Sequence, residues 1–577
     1  MKIPQRQMQQ NLFAGWAALV LVLSSIPAQS APPRMAHPES TSAATTGTLT
    51  GAPPPGAHPP SGATGTLNPI PPVNPSIALL PEFRPIGGGG NNLQNPSFDP
   101  VPNSAELSLA PLNFVPGTTD NVVTHPNART ASNVIAGGTG ANGQNSETTD
   151  AKASAWLYVF GQFVDHDLDL ESTPTTTADI SITVPAGDPV FTAGTTIQMN
   201  RDQRDATTNT IVNTVAGYLD LSQVYGVTTA EAASLRNTDG TMQTSGEGFY
   251  LPVVDDQFVG GDPRVMENPE LTALTTLFVR EHNYWVGVLQ LQHPDWTGDQ
   301  LYNMAKAITT AEYQNIVYTE YLPVLLGGPP APYRGYNPNV RAQITQEFST
   351  AAFRMGHSQV SDTQEGLDNS GNTVFTESLA QAFGNTPEID ESNGIDPLLR
   401  SLGVDYAQAT DVYVVAALRN ELFAPLVGGD VDEFDLIAID FQREYDVGLA
   451  TLNNTRRAIG LPPYTSFAQL TSDPVLQANL KSVFGSVDKV DLFFGGLAEA
   501  HAPGARVGPT FQWIIGHQFD NLRTGDRFFW LNQPFDANTH NMIAHTTLTT
   551  LMLRDTETTA TLQPNLFLEA PLGSTTP

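Results

Sequence analysis

A mainly α fold, one large helical domain of about residues 92–560 with few short strands, is what this sequence predicts. Three observations predict it. Four long stretches repeat apolar residues at helical spacing. Strand-like alternation is rare and short, and no internal repeat divides the 577 residues. A hydrophobic content of 40% is enough for a sizeable core.

The elements follow in chain order. Lys2 and Arg6 precede an apolar run over 12–26, and Ala28-Gln29-Ser30 before Ala31 reads as a cleavage site. Residues 1–30 are therefore expected to be an export signal, with the mature chain secreted or periplasmic. The run is shorter than the ~20 residues that span a bilayer, so no stable membrane insertion is expected. Residues 31–91 are rich in Pro, Gly and Thr and predict a disordered linker, with Gly87 to Gly90 as a second flexible joint. The first predicted helix covers 153–169, with Trp156, Val159, Phe160, Phe163 and Val164 on its apolar face. Others follow at 270–291, where Pro269 stands near the start, at 305–326 and at 341–357. Short strands are expected at 180–184 and 191–199, and a polar tail at 561–577.

Composition excludes several chemistries. The chain has no cysteine, which removes disulfides, thiolate haem ligation, cysteine-zinc sites and iron–sulfur clusters. A formal net charge of −32 repels nucleic acid and anionic membranes and favours solubility.

Three clusters carry chemistry. The first is Gly161-Gln162-Phe163-Val164-Asp165-His166-Asp167, polar groups at the end of an apolar helix. Alone it fits a solvated helix terminus. The second is Gly261-Asp262-Pro263-Arg264-Val265-Met266-Glu267-Asn268-Pro269-Glu270-Leu271. A helix start explains Glu270 through the dipole but does not explain Arg264. The third is Phe353-Arg354-Met355-Gly356-His357, where a lone histidine is more often packed than ligating.

Taken together and in this order, the clusters resemble the animal-type haem peroxidases, the family of myeloperoxidase, lactoperoxidase and peroxidasin. That family carries a G-Q-x-x-D-H-D distal helix, a G-D-x-R-x-x-E-x-P-E-L segment and an F-R-x-G-H proximal helix. Further matches are Leu277-Phe278-Val279-Arg280-Glu281-His282-Asn283, Gly504-Ala505-Arg506-Val507-Gly508-Pro509 and Leu522-Arg523-Thr524-Gly525-Asp526-Arg527-Phe528. The resemblance runs from about Asn127 to Trp530.

It implies a helical haem peroxidase domain with haem b and calcium as cofactors, and hydrogen peroxide and a halide, pseudohalide or small aromatic donor as partners. His166 is then the catalytic proton shuttle, Arg264 the fixed charge beside the breaking O–O bond, and Gln162 a group that holds water or halide. His357 ligates the haem iron. Asp165 and Glu267 match the carboxylates that form ester links to haem, while Asn268 stands where myeloperoxidase has its sulfonium-forming methionine. Asp167, Ala216, Tyr218, Asp220 and Ser222 match the calcium loop, although Ala216 replaces a threonine hydroxyl ligand. Arg354 and Arg443 match propionate partners; for Arg443 a plain surface arginine is an equal reading. Asp440 stands where the family has the asparagine that bonds the proximal histidine. It either takes that place as a carboxylate or faces solvent. The implied reaction is two-electron oxidation by peroxide, giving a ferryl species that oxidises the donor.

Two alternatives stay open. A fatty-acid dioxygenase of the same superfamily needs a radical-forming tyrosine three residues before the proximal histidine, where this chain has Arg354. A non-enzymatic adhesion or matrix protein on the same scaffold would not need His166, Arg264 and His357.

Overall fold

The computed structural model describes residues 76–573 except 115–124, 138–148, 173–177, 256, 384–388, 390–393 and 424–431. The expected export signal and the linker up to residue 75 lie outside the described residues.

The body is mainly helical, as predicted. Strand β1 (Thr149–Ser154) leads into helix α1 (Trp156–Leu168), which is apolar on nearly every face and buried except at the half-buried Gln162 and Asp165. Helix α2 (Pro269–Gln292) begins where Asn268 caps it, its side chain accepting from the Leu271 N–H, with Pro269 preset at the first position. Helix α3 (Gly298–Ile316) starts with a reciprocal Thr297/Gln300 capping box. These three helices meet in an aromatic cluster. Phe163 stacks on Phe278 with ring centres 4.9 Å apart, and Tyr313 stands edge-on to both.

Short antiparallel pairs decorate the helices. Strand β2 (Thr363–Leu367) pairs with β3 (Thr373–Ser378), and β4 (Tyr406–Gln408) pairs back to β1. Helix α4 (Leu436–Val447) is capped by Asp435 and stopped by Gly448 in the left-handed region at φ 73°. Helices α5 (Leu492–Ala498), α6 (Pro509–Thr524) and α7 (Leu548–Asp555) complete the frame. Among the described residues, no helix is long and apolar enough to cross a membrane.

The structure corrects several boundaries. The linker expected to reach residue 91 ends earlier: Ile77 and Leu80 are buried, and the Ile77 N–H donates to Gln292 at the end of α2. The glycines at 87–90 form a fixed turn rather than a joint. Gly87, Gly88 and Gly90 take φ of 74–75°, and a Cβ on Gly88 would press on the Tyr218 ring at 3.0 Å. The tail expected from 561 is partly core, because Leu566 and Phe567 are buried and Phe567 packs on Phe160 and Tyr321. A few large apolar residues within polar or Pro-rich sequence suffice to fasten both ends.

The helix expected at 305–326 is longer and interrupted. α3 begins at Gly298, widens into a π-turn at Val317–Tyr321 and resumes over Leu322–Leu326. The stretch 341–357 is not one helix. Thr345 bridges to Leu107, a π-turn covers Phe348–Ala352, and a 3-10 turn covers Phe353–Ser358. Its apolar spacing serves burial on several sides rather than one helical face. The strands expected at 180–184 and 191–199 reduce to a ladder of Ile182–Thr183 with Thr196–Ile197.

Candidate haem site

Helix α1 carries Gln162, Asp165, His166 and Asp167 on its last two turns, and it packs against the 3-10 turn that bears His357. The structure therefore brings the first and third sequence clusters together. The second joins them through the 3-10 turn Pro263–Met266, which packs on the start of α2.

On the first side, His166 is buried, with Nε2 3.6 Å from Glu267 Oε2. Burial, helped by the nearby Arg264 charge, holds the imidazole well below its ordinary pKa, so it rests neutral. Arg264 is buried and held in place from three directions. Its Nε and Nη2 donate to the Asp262 carboxylate at 2.9 Å each, and Nη2 also donates to the Asp169 carbonyl at 2.9 Å and the His166 carbonyl at 3.3 Å. Gln162 is clamped: its Nε2 donates to Glu267 Oε2 and its Oε1 accepts from Asn268 Nδ2, both at 2.9 Å. Burial pushes the Glu267 carboxyl up to about 7 and the Asp165 carboxyl up to about 6, against the lowering pull of Arg264. The Asp165 carboxylate makes no side-chain hydrogen bond among the described residues and feels the charges of Arg264 and Arg354.

On the second side, His357 Nδ1 lies 2.6 Å from Asp440 Oδ2, while Asp440 is buried on α4. His357 and Arg354 hold the Asp440 carboxyl below the usual range despite its burial. Asp440 does not face solvent, so the first of its two sequence readings stands. Arg354 Nη1 donates to the other oxygen, Oδ1, at 2.8 Å, and Arg354 Nη2 donates to Glu171 Oε1 at 2.7 Å. Arg443 contacts Asp202 at 2.8 Å and donates to the Asn200 carbonyl at 2.9 Å. Both arginines expected at propionates thus already have carboxylate partners, which any propionate must share.

The residues fit a haem on observations of this chain alone. With Nδ1 committed to Asp440, His357 keeps Nε2 for a metal, and its side chain retains 30% exposure despite its deep position. A Cβ added at the neighbouring Gly356 would meet nothing within 4 Å, so open space adjoins the histidine.

The expected calcium loop also closes. Asp167 accepts from the Asp220, Leu221 and Ser222 N–H groups at 2.6–3.0 Å and from Ser222 Oγ at 2.8 Å. Leu221 is held at φ 61°, a conformation that costs a side-chain-bearing residue energy and that this wrapping imposes. Asp220 Oδ1 is buried without a partner, the kind of atom a cation would engage. Tyr218 and Ala216 lie in the same turn, where the Tyr218 N–H donates to the Ala216 carbonyl. Among the described residues no three His, Asp or Glu side chains converge, so a cation here needs neutral oxygens as well.

Sequence reasoning overlooked Asp262 and Glu171 as site residues and gave Asn268 no role beyond the absent sulfonium link. Asp262 was legible in principle, since Asp-Pro-x-x reads as a capped turn start two residues before Arg264. Asn268 follows the same logic at α2. Glu171 and Asp202 carry no local signal, because only the fold brings them to the arginines.

One helical body thus packs the helix bearing the buried His166, with Arg264 hydrogen-bonded to its end, against the turn bearing the carboxylate-bonded His357. The animal haem peroxidase family model matches residues 83–567, and the chain belongs to that family. Peroxinectin A of Dictyostelium discoideum is 30% identical, with 85% of this chain and 97% of that protein covered. Lactoperoxidase of Mesocricetus auratus is 31% identical over 82% of this chain and 75% of its own length. Among solved structures, peroxidase A from Dictyostelium discoideum superposes with a TM-score of 0.75 at 28% identity, covering 84% of this chain and 99% of its own. A fatty acid alpha-dioxygenase of Arabidopsis thaliana has a TM-score of 0.71 at 19% identity, covering 86% and 87%, a likeness of fold.

Proposed function

We propose that this protein is a secreted haem peroxidase that uses hydrogen peroxide to oxidise a halide, pseudohalide or small aromatic donor. The observation that carries the reading is that a neutral buried His166 with a tethered Arg264 packs near the His357–Asp440 bond. Bound haem supplies the redox chemistry that passes peroxide's oxidising equivalents to the donor. His357 Nε2 would hold the iron, and Asp440 fixes the imidazole's orientation. His166 Nε2 accepts a proton from peroxide and returns it to the departing oxygen, work that its neutral state permits. Arg264, which stays charged, stabilises negative charge on the same oxygen. Gln162, fixed at both ends of its amide, orients water or halide. Asp165 and Glu267 are the proposed ester links to the macrocycle, and Asp167, Asp220, Ser222 and the carbonyls of Ala216 and Tyr218 the proposed calcium ligands. Secretion rests on the first 30 residues.

The test is an absorption spectrum of the purified holoprotein before and after peroxide, with bromide and guaiacol oxidation followed in parallel. A haem spectrum that responds to peroxide, with donor turnover, is expected. A burst of oxygen uptake with linoleate and no peroxide-dependent turnover would overturn the reading in favour of a dioxygenase. Haem that extracts completely into acidified organic solvent after peroxide treatment would remove the ester links.

A further inference from the structure

We propose that Glu444 and Asp491 form a second hard-cation site, separate from the Asp167 loop, that takes a divalent ion of the calcium type. Both side chains are more than nine-tenths buried and meet where α4 abuts the start of α5. One oxygen of each is held by backbone: Glu444 Oε1 accepts from the Phe493 N–H at 2.9 Å, and Asp491 Oδ1 from the Phe494 N–H at 3.0 Å. The remaining oxygens, Glu444 Oε2 and Asp491 Oδ2, are buried with no partner but each other's carboxyl. Both residues line one small cavity, with room for about one water-sized particle, together with Asn113, Leu449 and Thr451.

Charge sharpens the case. The buried carboxylates elsewhere in this site region have cations within reach: Glu171 and Asp440 have Arg354, and Asp202 has Arg443. No lysine or arginine stands among the groups that act most on Glu444 or Asp491. Instead burial pushes both carboxyls upward, and the two lie within hydrogen-bond reach of each other. Two buried like charges are costly unless something positive comes between them. Two carboxylates plus the neutral oxygens of Asn113 and Thr451 make the hard, oxygen-only donor set that calcium prefers, and two negative charges match a divalent ion. Glu444 lies one turn beyond Asp440 on α4, so an ion there would pin the helix that presents Asp440 to His357. The site does not depend on the haem reading.

The experiment is calorimetric titration of chelator-treated full-length holoprotein with Ca2+, repeated with Mg2+. Two equivalents of Ca2+ are expected for the wild type. Glu444→Gln/Asp491→Asn should lose one equivalent while keeping the backbone acceptors, and Asp220→Asn should lose the other. An unchanged stoichiometry in the Glu444→Gln/Asp491→Asn variant would overturn the proposal. Failure of only the Asp220→Asn variant to change stoichiometry would instead count against the loop site. If the double variant does not fold, crystals of the wild type grown with Tb3+ decide. An anomalous peak between Glu444 and Asp491 supports the site. A protonated-carboxyl infrared band that persists in saturating Ca2+, with no peak, shows a shared proton and overturns it.

Discussion

Asp440 concentrates what is particular to this chain at the scale of one residue. A carboxylate at 2.6 Å from His357 Nδ1 accepts a charge-assisted hydrogen bond, roughly twice as strong as the neutral bond an asparagine would accept. With haem bound as proposed, it would make the imidazole more anionic and favour ferric over ferrous iron. Arg354 at 2.8 Å tempers the effect without cancelling it. Asp440→Asn should therefore raise the Fe(III)/Fe(II) potential by on the order of 60 mV, the one-electron equivalent of ~1.4 kcal/mol. Spectroelectrochemical titration measures it, and an unchanged potential would refute the coupling. On the opposite side, Asp262 tethers Arg264 by two bonds at 2.9 Å. Asp262→Ala should slow the reaction with peroxide while leaving donor affinity alone, and His166→Ala should slow it by roughly 10²–10⁴. Stopped-flow spectra read both; equal rates in the His166 variant would remove the proton shuttle from that residue. The chemistry-bearing residues were legible because they cluster in short motifs. Asp262, Glu171 and Asp202 were not assigned, since their roles come from what the fold sets beside them.

Helix α2 shows the same division at the scale of an element. Its extent was readable from apolar spacing and from Pro269, and the structure shifts its ends by a single residue each. Its buried acids were less readable. Glu270 in the first turn looks like a dipole-favoured surface residue, yet it is buried and accepts from Gln364 Nε2 at 3.0 Å. Burial, with Asp405 nearby, raises its carboxyl to about 8. Its folded pKa lies above the ordinary value, so its contribution is complete below about pH 4.5 and is lost as pH rises towards 8. Glu270→Gln keeps the acceptor and removes the titration. The variant should therefore lose less stability than the wild type across that window, where one such group accounts for at most ~1.4 kcal/mol per pH unit. Denaturant midpoints at several pH values give the comparison, and parallel curves would refute it. The stretch 341–357 marks where periodicity misleads. A buried chain that bends through π and 3-10 turns satisfies the same apolar spacing as a straight helix.

For the whole molecule, the absence of cysteine poses the question of what fastens the ends of a chain of this size carrying a net charge of −32. Packing does. At the front, Ile77 and Leu80 are buried, and Ile77 bonds to the last turn of α2. At the back, Phe567 inserts edge-on beside Phe160, with ring centres 5.2 Å apart, and beside Tyr321 at 5.5 Å. The Ser154 N–H donates to the Phe567 carbonyl just before α1 begins. Phe160 lies on the helix that carries His166, so Phe567 braces the scaffold of the proposed distal side. Sequence reading missed this because a few large apolar residues scattered through a short stretch give no periodicity. Phe567→Ala should cost ~3–5 kcal/mol, as expected for emptying an aromatic site in a close-packed core. The loss should appear as a lower guanidinium midpoint with an unchanged slope. Ending the chain at residue 560 removes Leu562, Leu566 and Phe567 together, and should destabilise more than the point variant. If the shortened chain melts with the wild type, the C-terminal segment is an ornament rather than a clamp, and α1 must be held by the aromatic cluster with α2 and α3 alone.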